Sequence, residues 1–120
     1  MSSYKNLLAY KKAFALAVRI FTITKGFPPE EKYSLIDQIR RSSRSVCANI
    51  SEADNKRRYK DYFISKLNEC ISENGETEVW LDFSLEFNYL SKAEHFELVE
   101  LNTEVGKLLW YMINNPDKFL

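Results

Sequence analysis

The sequence predicts an all-α fold, an up-down-up-down antiparallel four-helix bundle. Three observations carry that prediction. Only 3 Gly and 3 Pro occur in 120 residues, so few positions interrupt a helix. Four segments repeat apolar residues at spacings of 3 and 4, the pattern of a helix with one buried stripe. The connectors between them are roughly three to five residues long, which suits antiparallel neighbours. The length is that of one domain, residues 1–120.

The first helix is expected over about 4–25. Its seam reads Leu7, Tyr10, Phe14, Ala17 and Phe21, with Leu8, Val18, Ile20 and Ile23 widening the apolar face. Gly26 is placed to cap it, and Phe27-Pro28-Pro29 stops it. The second helix is expected over about 29–54. Pro29 suits the first helical position, and Glu30 and Glu31 suit the positive end of the helix dipole. Its seam is Leu35, Ile39, Ser42 or Ser43, Val46, Ile50 and Ala53. Small residues in the middle let a neighbouring helix come close.

The third helix, about 57–87, is the longest, ~46 Å at ~1.5 Å per residue. Its seam is Tyr59, Phe63, Leu67, Cys70, Asn74, Thr77, Leu81 and Ser84. Gly75 interrupts the pattern without shifting its phase, and reads as a kink or a close backbone contact. Ser91-Lys92-Ala93-Glu94 is a capping box. The fourth helix follows over about 91–114, with Leu98, Leu101, Val105, Leu108 and Met112 as its seam. Trp80, Phe83 and Phe87 make a second apolar stripe on the third helix, and are expected to form an oligomer interface.

Composition excludes several classes. With 45% apolar and 28% charged residues the chain is an ordinary globular one. No run of 18 uncharged apolar residues exists, so no membrane helix is expected. The start, Met1-Ser2-Ser3-Tyr4-Lys5-Asn6, lacks the apolar core of a signal peptide, and the expected location is the cytoplasm. Cys47 and Cys70 lie in apolar segments and read as structural thiols. A di-iron site needs Glu-x-x-His on two helices. The single histidine, His95, follows Glu94 directly and is expected at the surface. Neither G-x-S-x-G nor a P-loop occurs. No catalytic residue, metal or cofactor is therefore assigned. An acid–base role for Glu73 and Glu76 is the remaining enzymatic reading.

Charge sums to zero but is unevenly spread. Residues 38–60 hold seven basic and two acidic groups, a net +5, and residues 61–104 hold two basic and eleven acidic groups, a net −9. Such asymmetry suits a polyanion-binding face, or an internal match between helices or subunits. Lys56, Arg57, Arg58 and Lys60 sit at the turn into the third helix, where side-chain charge, backbone N–H groups and the dipole act together on phosphate. Arg40 and Arg44 share a face of the second helix and form a second basic patch. Gln38, Arg41, Asn49, Glu52 and Glu76 are expected to form a structural polar network that sets helix register or a subunit contact.

One segment resembles a known family. Phe27-Pro28, Glu31, Tyr33, Leu35, Gln38, Arg40-Arg41, Ser45-Val46 and Asn49-Ile50-Ser51-Glu52 resemble the four-helix-bundle proteins encoded in intervening sequences of bacterial 23S ribosomal RNA genes. These are often labelled S23-type ribosomal proteins, and accessory proteins of diversity-generating retroelements look related to them. Phe63 and Glu76-Thr77-Glu78-Val79-Trp80-Leu81 resemble the family's third helix. The family often has Ala-Glu-Gly after Asn-Ile, where this chain has Ser51-Glu52-Ala53. The resemblance implies an up-down bundle and a ring-shaped homo-oligomer, a pentamer, with RNA or DNA as partner. The expected function is that of a non-enzymatic oligomer binding structured nucleic acid through the basic turn. The alternative is a protein-interaction scaffold that binds no nucleic acid.

Overall fold

Four α-helices and no strand occur in the computed structural model, which describes residues 3–120. The expectation made of Met1 and Ser2, that no leader begins there, lies outside the described residues. The helices are α1 (Leu8–Thr24), α2 (Leu35–Asn55), α3 (Lys60–Glu86) and α4 (Lys92–Asn114). Short 3-10 turns stand at Tyr4–Asn6, Pro29–Glu31 and Pro116–Lys118. The principal extents are 44 × 25 × 22 Å. α1 packs on α2 and α4, and α3 packs on α2 and α4, so α1 and α3 occupy diagonal corners of the bundle. No helix among the described residues is long and apolar enough to cross a membrane.

Helix boundaries follow local chemistry. Pro29 starts a separate 3-10 turn, and α2 begins only at Leu35. Glu31 holds that junction, accepting hydrogen bonds from Ser34 Oγ and, at 2.9 Å, from Tyr89 Oη. These two bonds hold the Glu31 carboxyl below its ordinary range. α3 begins at Lys60, three residues later than the start expected at Arg57. Ser91 and Glu94 form both halves of the capping box, with bonds of 3.0 and 2.8 Å. Gly26 does not adopt the left-handed conformation of a helix cap; Asn88, at φ 62°, does so between α3 and α4.

The core is Leu16 and Ile20 from α1, Ile39, Val46 and Ile50 from α2, Phe63, Leu67 and Leu81 from α3, and Leu98, Val105 and Leu109 from α4. The α2 and α3 seams lie inward, save for exposed Tyr59 and half-buried Asn74. The α1 seam does not follow the expected line. Its buried residues are Ala9, Ala13, Leu16, Ile20 and Thr24, while Phe14 and Phe21 face outward. Small Ala9 and Ala13 let α1 lie close to its neighbours, which leaves no inner space for the larger rings. On α4, Asn102 and Leu109 are buried, and Leu101 and Leu108 only half so.

Polar groups lock two of the seams. Ser42 Oγ and Thr77 Oγ1 share a buried 2.8 Å hydrogen bond across α2 and α3. Asn74 Nδ2 donates to Asn102 O and Oδ1, and Asn102 Nδ2 donates back to Asn74 O, all within 3.0 Å. Gly106 makes that exchange possible, since a Cβ there would stand 2.8 Å from Asn74 Oδ1. Of the kink or close backbone contact expected at Gly75, the close contact is absent: nothing lies within 4 Å of a Cβ there.

Candidate nucleic-acid interface

The turn from α2 to α3 is short and tightly bonded. Lys56 N–H donates to Glu52 O and Ala53 O, and Tyr59 N–H donates to Lys56 O at 2.9 Å. No side chain caps α3 at Tyr59, so the free N–H groups of its first turn meet no side-chain acceptor there. Four cations surround this uncapped end. Arg57 Nη1 lies 3.4 Å from Asp54 Oδ1, and Lys60 Nζ 3.1 Å from Asp117 Oδ1 of the C-terminal turn. Lys56 and Arg58 have no carboxylate partner among the described residues. Lys56 Nζ stands 5.9 Å from the ring centre of Tyr62. Tyr59 and Tyr62 are both exposed and meet edge to face at 5.9 Å. Cations interleaved with exposed rings can hold phosphates and stack bases.

Arg40 and Arg44 lie elsewhere. About 24 Å of α2 separates Arg40 from Lys56, at ~1.5 Å per residue. Arg40 Nε donates to Thr24 Oγ1 at 2.9 Å, and its Nη2 donates to Phe21 O at 3.3 Å, at the C-terminal end of α1 where positive charge is favoured. The Arg40 and Arg44 guanidinium groups stand 4.5 and 5.6 Å from the Phe21 ring centre, and Lys25 Nζ stands 4.8 Å from it. The six cations thus fall into two separate regions, one in the first half of α2 and one just past its C-terminal end.

The expected polar network also divides. Arg41 Nη2 donates to Gln38 Oε1 at 3.3 Å and to Glu76 Oε1 at 3.0 Å, and Trp80 Nε1 donates to the same Glu76 oxygen. Asn49 stays within its own helix, bonded to Ser45 Oγ. Glu52 pairs with Lys66 at 2.8 Å, and Lys66 also reaches Glu69. Lys66 holds Glu52 below the ordinary carboxylate range. Glu73 Oε2 is buried without a hydrogen-bond partner. Burial first, then the Glu76 charge, pushes the Glu73 carboxyl upward. No group of three or more Cys, His, Asp or Glu that could hold a metal occurs among the described residues.

Trp80 is half-buried against the core, whereas Phe83 and Phe87 are exposed. His95 is half-buried, its Nε2 2.8 Å from Asp82 Oδ1. Cys47 and Cys70 are free and buried, and desolvation pushes their thiols up to about 11 and about 12. Thiols held that far from ionisation are poor nucleophiles. The residues that the sequence pattern concealed are Phe14, Val18 and Phe21. They line an open groove of about 620 Å³ between α1 and α2, with Arg44 and Ala48 on its far wall. Their only advance signal was that α1 carries more apolar residues than one stripe can bury.

The charge asymmetry becomes spatial in the bundle. Residues 1–60, which supply α1 and α2, carry 13 basic and 5 acidic groups, a net +8. Residues 61–120, which supply nearly all of α3 and α4, carry 4 basic and 12 acidic groups, a net −8. The seams between the halves use part of this charge, in Lys12–Glu104, Arg19–Glu97 and Arg41–Glu76. One side of the molecule is left basic and the other acidic.

Comparison with known proteins gives the same architecture. The family model for the 23S rRNA-intervening sequence protein matches residues 5–111. Among solved structures, a protein with unknown function from the S23 ribosomal protein family of Bacteroides thetaiotaomicron superposes with a TM-score of 0.82 at 33% identity, covering 89% of this chain and 96% of that one. No functionally curated protein matches. The matched span takes in α1 to α3 and all but the last three residues of α4, and the chain belongs to the 23S rRNA-intervening sequence protein family.

Proposed function

We propose that this chain is a non-enzymatic homo-oligomer that holds structured RNA or DNA by phosphate contacts at the α2–α3 turn. The supporting observation is the pairing of Lys56 and Arg58, both exposed and without a carboxylate partner among the described residues, with the uncapped start of α3. Lys60 adds charge through an exposed pair worth about 0–1 kcal/mol, which releases it readily to a phosphate, and Arg57 adds charge from a half-buried pair with Asp54. Tyr59 and Tyr62 offer ring faces to unpaired bases. The family's name links it to ribosomal RNA sequence and supports RNA as the first partner to try. A net charge of zero means that attraction depends on orientation, with the basic side leading.

The test is binding of labelled structured RNA and duplex DNA across a salt series. Affinity should fall steeply with salt, and each lost phosphate contact should reduce the slope by about one. Retention unchanged in Lys56→Ala/Arg58→Ala would remove the assignment. The scaffold reading draws on the Trp80, Phe83 and Phe87 stripe, of which Phe83 and Phe87 are exposed, and forecasts no retention of either nucleic acid.

A further inference from the structure

We propose that the α1/α2 groove of one copy receives the outer face of α3 from a second copy of this chain, in a head-to-tail contact. This rests on the reading of the chain as a homo-oligomer, and adds which surfaces meet and what selects them.

The groove is apolar and basic. Phe14 is 52% exposed and Val18 50%, an unusual pair to leave side by side in water. Phe21 completes the strip and carries three cations, Lys25, Arg40 and Arg44, around its ring. Arg44 has no carboxylate partner among the described residues, so its charge is available to a visitor.

The α3 face has the complementary character. Val79 and Phe83 are 48% and 45% exposed, and Asp82 and Glu86 border them around a shallow cleft of about 300 Å³. Glu86 forms no ion pair among the described residues. Apolar strip would meet apolar strip, and Arg44 would meet Glu86. Like faces would set cation against cation or carboxylate against carboxylate, which disfavours a two-fold contact.

Position fits as well. The end of α1, the start of α2, the end of α3 and the start of α4 lie at one end of the bundle, where Tyr89 packs against both Phe27 and Phe87. Phe21 and Phe83 each lie within a turn of their helix ends there. Phe21 and Phe83 therefore sit at the same level on diagonal corners, and the groove runs on from Phe21 along α1 past Val18 and Phe14. Two different patches joined head to tail close into a ring or extend as a filament.

Cysteine cross-linking tests the pairing. Val18→Cys and Phe83→Cys are each oxidised alone and then as a mixture, both in a Cys47→Ala background because Cys47 lines the groove, with Cys70 fully buried. Disulfide-linked pairs should form only in the mixture. Light scattering on charge variants is the second readout. Arg44→Glu or Glu86→Arg should raise the concentration needed for assembly by about tenfold or more, and the double variant should recover most of it. Self-linking of Val18→Cys would overturn this pairing while leaving a homo-oligomer in place. A monomeric wild type at all concentrations would overturn both.

Discussion

The two basic regions of α2 use their charge differently. In the groove, Arg40 is bonded to Thr24 and to the last turn of α1, and three cations stand within 6 Å of the Phe21 ring centre. At the turn, Lys56 and Arg58 stand over solvent with no carboxylate partner among the described residues, 16 residues and some 24 Å of helix from Arg40. The first set fastens one helix to another and leaves Arg44 at its rim. The second is bound by little beyond surface pairs. A count of positive residues treats the two alike, but the neighbours of each group decide whether its charge remains available.

Substitutions should separate the regions, beginning with the largest effect. Ile20 lies on the inner face of the helical turn that shows Phe21, and it is fully buried. Ile20→Ala should lower unfolding stability by about 2–5 kcal/mol in denaturant titration. Phe21→Ala should cost clearly less, because its ring is already 37% exposed. Equal losses would mean that the groove belongs to the core. Arg40→Ala should cost about 1–2 kcal/mol through its lost bonds to Thr24 Oγ1 and Phe21 O. Lys56→Ala with Arg58→Ala should stay within about 0.5 kcal/mol of wild type.

Arg41 provides an intermediate case, since it faces Glu76 and also favours the ionised form of Glu73. Burial outweighs it and raises the folded-state pKa of Glu73 above its ordinary value. Ionised Glu73 therefore opposes folding above that raised value, and the opposition fades as pH falls through the carboxylate range. Glu73→Gln should be more stable than wild type at neutral pH and should lose that advantage in acid. A constant difference across pH would mean that packing, not charge, governs the site.

How much of this was legible in the sequence depended on the helix. In α2, charged and polar residues leave one stripe through Leu35, Ile39, Val46 and Ile50, so periodicity identified the buried face. In α1, apolar residues lie on nearly every face. The stripe through Tyr10, Phe14 and Phe21 competed with one through Ala9, Ala13, Leu16 and Ile20. Spacing cannot rank two such stripes. Close helix packing chose the smaller side chains. The basic turn was legible as a run of charge, and its occupants were not. Lys60 meets Asp117, 57 residues away, and Arg40 meets Phe21 and Thr24 across a helix connection. Those partners are set by tertiary packing, which no local pattern encodes.

The most direct measurement is a salt series of RNA binding by wild type, Arg40→Ala and Lys56→Ala/Arg58→Ala, with thermal melting on the same samples. The turn variant should keep its melting temperature, lose affinity and show a slope reduced by about two. Arg40→Ala should melt lower and, where still folded, bind with an unchanged slope. A turn variant that binds like wild type, or a slope that falls only in Arg40→Ala, would contradict the division of labour between the two basic regions.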